Sequence, residues 1–252
     1  MSNLLITNYM RLWKDKIFYC FLLFMGVAGL YNAVSFMFQL SEPGVGTLSN
    51  VFFKYTIYIL VLSSIFCSLF VGTEYSNGTL RNKIIMGHSR QKIYFANLIT
   101  CISANLIMCL AYIVTSLAGI SMGFATAMID TFVGVLCSFA VVCSVSSLFT
   151  MITMLSKRKS IATVICIVIA FLLVLYGMYV RDTTLIAQQQ GKPNMFYEFL
   201  NDFLPGCQML QLSLDPETTT ETSPIIIFIY AFFLFIITTT IGLSLFKKKD
   251  LQ

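Results

Sequence analysis

Charge is what this sequence has least of. Asp, Glu, Lys and Arg make up 11% of its 252 residues, against roughly 25% in a soluble domain. Hydrophobic residues make up 58%. This balance excludes a second large soluble domain and predicts an all-α membrane protein forming a single transmembrane domain over residues 1–252. His88 is the one histidine, so HExxH-type zinc sites are excluded, and a serine-histidine-acid triad would have to draw on a basic loop. No GxxxxGK[ST] phosphate loop occurs, so no ATP site is expected in this chain, and no catalytic residue is assigned. There is no CxxC pair. Seven of the eight cysteines fall within or at the ends of apolar runs, with Cys207 outside them; buried free cysteine behaves as a small hydrophobe, so neither a disulfide framework nor a metal site is assigned. The net charge of +5 sits in short clusters beside apolar runs, which does not describe a nucleic-acid-binding surface.

Apolar runs dominate what remains. A membrane-spanning helix needs about 20 apolar residues, at about 1.5 Å each across a core of about 30 Å. Six spans are predicted, at 17–38, 53–72, 98–123, 126–155, 160–180 and 225–246. The third and fourth form one apolar stretch too long for a single crossing, so a turn is expected near Gly119–Thr126. A basic start followed by an apolar run also suits a signal peptide. The run is long and no clear small-x-small cleavage site follows, so a retained first span is expected.

Thirteen of the sixteen Lys and Arg residues fall in four segments. Arg11, Lys14 and Lys16 precede the first span. Arg81, Lys83, Arg90 and Lys92 separate the second from the third. Lys157, Arg158 and Lys159 follow the fourth, and Lys247, Lys248 and Lys249 follow the sixth. Six crossings place all four segments on one side, which predicts cytoplasmic termini.

Residues 3–16 have an amphipathic pattern, with Leu5, Tyr9, Leu12 and Trp13 on one side, as expected of a helix lying in the membrane interface. In the external segment, Phe196, Phe199, Leu200, Phe203 and Leu204 share one face of a short helix that Pro205 and Gly206 are expected to end. That helix reads as a gate over a transport path or as a structural plug. Asp130 is the one carboxylate inside a predicted span. It reads as an intramembrane polar contact or as an acid at a helix start, where the helix dipole favours it.

The most informative stretch lies between the second and third spans. Ser76 or Asn77 can cap a helix over Thr79–Met86, and Gly87 can end it. Leu80 and Ile84 share a face with Ile85 beside them, flanked by Arg81 and Lys83. Ser89 can start a second helix running through Arg90 into the third span. A short helix with apolar anchors and basic flanks suits a cleft in another protein, and it also suits anionic lipid headgroups.

The order Glu74-Tyr-Ser-Asn-Gly-Thr-Leu-Arg-Asn-Lys, then Gly87-His-Ser-Arg and Ile93-Tyr94, resembles the first cytoplasmic loop of type-two ABC transporter permeases. The motif is confined to positions 74–94, while the resemblance in topology covers the chain. It implies six spans, an N-terminal interfacial helix, a cytoplasmic coupling helix between spans 2 and 3, and a short external helix between spans 5 and 6. It also implies that Glu74, Gly78, Thr79, Leu80, Arg81, Lys83, Ile84, Gly87 and Arg90 couple the chain to separate ABC ATPase subunits, which would bind ATP and Mg. A second permease chain, identical or diverged, would complete the path. Permeases of this length resemble those of bacitracin resistance and lantibiotic immunity in the bacterial cytoplasmic membrane, which implies export of an amphiphilic peptide. Export of another lipid, polysaccharide or drug remains open. So does a membrane scaffold or sensor that docks a soluble partner without transport.

Overall fold

The computed structural model describes residues 2–39, 53–119, 128–156, 158–190, 194–213 and 224–248. Every secondary-structure element among them is helical: α1 (Ser2–Leu12), α2 (Lys16–Gln39), α3 (Tyr55–Ser76), α4 (Thr79–Ile85), α5 (Arg90–Gly119), α6 (Met128–Leu155), α7 (Lys159–Gln189), α8 (Met195–Phe203), α9 (Pro205–Ser213) and α10 (Pro224–Lys248). Six of these, α2, α3, α5, α6, α7 and α10, are long and apolar enough to cross a membrane. The chain thus has the character of a multi-pass membrane protein.

Burial sorts the six into two groups. In α3, 67% of the apolar stretch is buried, against 22% in α7. α3, α5 and α6 pack on one another as an inner trio, and each carries an outer helix: α7 on α3, α2 on α5 and α10 on α6. The outer helix α7 keeps small residues inside. α7 buries Ala162, Cys166, Ala170 and Gly177 while Val164, Val168, Phe171, Leu172 and Leu175 stay exposed. Small residues at about every fourth position let helix backbones approach closely, which replaces the hydrophobic drive that lipid does not supply.

The interior hydroxyls of α6 bond to the helix's own backbone. On α6, Ser144, Ser146, Ser147, Thr150 and Thr153 are all buried, and each hydroxyl donates to a carbonyl three or four residues back. A few also bridge helices. Asn105 Nδ2 donates to Ser146 Oγ at 2.7 Å, and Ser147 pairs with Thr238 of α10. These contacts join α5, α6 and α10 without burying charge.

Two helices extend beyond the predicted apolar spans. α5 starts at Arg90 and enters the bundle without a break, in keeping with a helix start at Ser89. α7 continues past the expected end at 180 as far as Gln189. Nothing in Arg181–Gln189 breaks a helix, and the polar side chains there only move it out of the apolar zone. At a rise of about 1.5 Å per residue, α7 is about 46 Å long, well beyond a bilayer core. The turn expected near Gly119–Thr126 lies almost wholly outside the described residues, between the end of α5 and the start of α6.

Candidate functional site

α4 is a seven-residue helix held between two glycines. Gly78 precedes it at φ 66° and Gly87 follows at φ 84°, both in the left-handed region that side chains with a Cβ disfavour. The N-terminal cap expected from Ser76 or Asn77 does not form, while Gly87 ends the helix as expected. The residue at the N-cap position is Gly78, which has no side chain to cap with. Ser76 Oγ instead donates back to the Thr73 carbonyl at 3.2 Å. Thr79 Oγ1 donates to the Glu74 carbonyl at 3.1 Å, tying the start of α4 to the end of α3. At the far end, Gly87 N–H donates to Ile84 O and His88 N–H to Lys83 O, the paired bonds of a Schellman turn.

The carboxylate of Glu74 organises this end of the bundle. Its side chain is 0% exposed, and charge is not left buried without partners. Arg11 Nη1 of α1 donates to Glu74 Oε1 at 2.6 Å, and Lys83 Nζ of α4 donates to the same oxygen at 2.5 Å. Asn97 Nδ2 of α5 donates to Oε2 at 2.8 Å. Asn8 of α1 closes the ring: its Nδ2 donates to Asn97 Oδ1 at 2.7 Å, and its Oδ1 accepts from Lys83 Nζ at 3.0 Å. Arg11 Nη2 also donates to the Phe70 carbonyl at 2.8 Å, and its guanidinium lies 3.8 Å from the Phe70 ring centroid. Five side chains from α1, α3, α4 and α5 thus form one connected polar cluster. Removing one partner from such a buried pair costs about 3–5 kcal/mol, because it leaves the other charge uncompensated.

The residues of the loop motif therefore divide. Glu74 and Lys83 meet in the cluster. Arg90 Nη1 donates to the Lys247 carbonyl at 3.0 Å, putting a cation on the last turn of α10, where the helix dipole favours one. Arg81 is exposed. Leu80, an expected anchor for a partner, is 2% exposed and packs in the chain's own core. It is the side chain that seats α4 on the bundle, and Ile84 packs against the core beside it. The apolar groups that α4 offers to its surroundings are Ile85, 73% exposed, and Met86, 74% exposed. Periodicity does not separate these roles, because three of the four apolar residues are adjacent in sequence.

At the opposite end of α3 sits the α8–α9 hairpin. α8 ends ahead of Pro205 and Gly206 as expected, with Leu204 extended before the proline, and Pro205 also opens a second helix, α9. Proline fits the first turn of a helix, where its missing N–H is not needed. Pro205, Gly206, Cys207, Gln208, Met209, Leu210 and Ser213 are all buried, and α9 is wedged against α3, α6 and α7. A Cβ on Gly206 would collide with the Leu173 carbonyl of α7, and one on Gly177 would crowd Gly206 in return. Burial pushes the Cys207 thiol up to about 12, with Asp202 adding to the effect. It stays protonated and donates to the Gly177 carbonyl.

α8 is built inside out. Its buried residue is Asn201, while Met195, Phe196 and Phe199 are exposed. Phe199 and Phe203 stack on each other and meet Tyr230 of α10 edge-on at 5.9 and 6.0 Å. Leu200 is half-buried. Asp130 falls in the first turn of α6, and its side chain lies outside the described residues.

No family model and no curated protein sequence matches the chain.

Proposed function

We propose that this chain is the transmembrane subunit of an ATP-driven exporter of the ABC type, with α4 as the helix that docks into a separate ATPase. The observation that carries this reading is the construction of α4. Its tip presents Ile85 and Met86 outward, while its base is fixed to α1, α3 and α5 through Glu74, Lys83 and Asn97. A loop that only joined two spans has no need of a buried carboxylate shared by four helices. A helix that receives force from a partner needs such a rigid seat, so that pushing on the tip moves packed elements as bodies. In this reading Arg81 and the basic segments lie on the cytoplasmic side of a bacterial membrane, and the partner ATPase holds ATP and Mg. Two permease chains, identical or diverged, would together enclose the path.

The substrate class proposed is an amphiphilic peptide taken up from the membrane. The exposed apolar faces of α2, α7 and α10 support a path reached through lipid rather than through water.

The test is purification of the tagged full chain from its native cell in mild detergent, with identification of what accompanies it. An ABC ATPase in near-equal amount, whose ATP hydrolysis changes on reconstitution with the chain, supports the reading. An intact, folded chain with no ATPase overturns it in favour of a docking scaffold.

A further inference from the structure

Tyr94 belongs to the loop motif but takes no part in the Glu74 cluster. It stands near the start of α5, fully buried, with its hydroxyl against Gly242 of α10. A Cβ at Gly242 would collide with that hydroxyl, and would meet Tyr94 Cζ at 2.8 Å and Met151 Cγ of α6 at 3.0 Å. One turn further along α10, the buried Phe246 has its ring centroid 6.2 Å from that of Tyr94. One turn back along α5, Arg90 holds the Lys247 carbonyl. Residues four apart share a helix face, so Arg90 and Tyr94 form one side of this joint, and Gly242 and Phe246 form the other. A ring enters a notch that glycine alone leaves open, and a charged bond closes the helix end beside it.

The joint lies next to the docking helix, since only residues 86–89 separate α4 from α5. At the other end of α10, Tyr230 meets Phe199 and Phe203 of α8 edge-on. The helical rise from Tyr230 to Gly242 is about 18 Å. Away from these contacts α10 rests on α6 and leaves Phe228, Phe232, Phe233 and Ile236 exposed. We infer that Tyr94 is a positioning residue that keys α10 to α4: a displacement of α4 enters the first turns of α5, passes at Tyr94 to Gly242 and Phe246, and reaches α8 through Tyr230. Packed helices that shift as bodies carry such a displacement. Adjacency alone does not make coupling; a shared energy does. The purpose of the joint in transport rests on the reading of α4 given above, but the joint itself belongs to the chain alone.

Hydrogen exchange is measured on the full chain in lipid nanodiscs, without a partner. Gly242→Ala drives a Cβ into the Tyr94 hydroxyl, and it is expected to speed exchange in residues 87–94 and 239–248 about tenfold or more. Tyr94→Leu removes the ring and leaves room for that Cβ. The two substitutions together are then expected to cost about threefold less protection than their separate effects combined. Independent effects overturn the joint. Should Gly242→Ala alone fail to fold, recovery of a folded chain by Tyr94→Leu supports the joint, and no recovery overturns it. Lys83→Met tests the transmission, since it loosens α4 while Glu74 keeps its bond to Arg11. Exchange in residues 195–203 is expected to rise about threefold on this change in the parent chain and in Tyr94→Phe, which keeps the ring, and to stay level in Tyr94→Leu. No rise in the parent chain or in Tyr94→Phe overturns the transmission, and so does an equal rise in Tyr94→Leu. A chain purified without an ATPase overturns the reading of α4 and leaves each of these outcomes as it is.

Discussion

The two ends of α3 are fastened by different chemistry. At one end Glu74 binds two cations and an amide. At the other Tyr55 shares a hydrogen bond of 2.5 Å with Ser138, and Thr56 Oγ1 donates to the Met209 carbonyl at 2.9 Å. The helical rise along α3 separates Thr56 from Glu74 by about 27 Å. Hydroxyl bonds between helices are worth about 0.6 kcal/mol each in a membrane, so the α9 end is glued weakly by many small contacts. The Glu74 end is held by a few strong interactions that fail together. Under the proposed reading, the Glu74 end would transmit position and the α9 end would be the one that repacks.

The sharpest way to break the comparison is Glu74→Gln. It keeps the volume and removes the charge, leaving Arg11 and Lys83 facing a neutral amide. We expect a loss of about 3 kcal/mol, at the low end for a broken buried pair. The Arg11 side chain is 33% exposed and can turn to water, which limits the cost. Thermal unfolding in detergent measures the loss, and hydrogen exchange should localise it to α1 and α4. A loss spread evenly over all six spans would mean that the cluster is ordinary core.

What can be read from the sequence follows the same division. The spans are legible because lipid demands about 20 consecutive apolar residues whatever the neighbouring helices do. Among the described residues six helices are long and apolar enough to cross a membrane, in the expected order, and the overrun of α7 shows where the signal stops: hydropathy marks the apolar zone, not the end of the helix. Glu74 and Lys83 are legible as a motif, but their partners are not. Asn8 reaches Asn97 across 89 positions and Arg11 reaches Glu74 across 63, and local periodicity carries no information over such distances. The basic residues before α2 carry an orientation signal, which hides the separate task of Arg11. α9 is hidden because Pro-Gly is the usual mark of a turn, and its mixed residues make a buried helix only once α3, α6 and α7 surround them.

At the α9 end the largest effect should come from backbone contact rather than polar bonds. Gly206→Val puts a Cβ against the Leu173 carbonyl, which α7 cannot move without bending. We expect a loss of about 1–3 kcal/mol, in the range for overpacked sites, with faster exchange in residues 205–213 and none in α4. Thr56→Val should cost much less, about 0.6 kcal/mol, by removing one interhelical bond while keeping the shape. A larger loss than Gly206→Val would make Thr56 the principal fastening and reverse the picture of a glued, repackable end.

The smallest expected effect on the fold is at the tip of α4, and it decides most about function. Leu80→Asp is unsuitable for this purpose, since a carboxylate in that buried position disrupts the seat of α4 before any partner is involved. Ile85→Ser and Met86→Ser alter side chains that already face outward, so each should change unfolding by less than about 0.5 kcal/mol. If α4 docks into an ATPase, both groups lose apolar contact with that partner, and the pair of substitutions should weaken the complex about tenfold or more, as expected when two anchors at the centre of an interface are removed. Hydrolysis coupled to the chain should fall in proportion, while hydrogen exchange of the Glu74 cluster stays as it is. Full retention of the ATPase by the double variant would mean that the exposed tip is covered by something other than the partner, and the rigid seat beneath it would then need a different explanation.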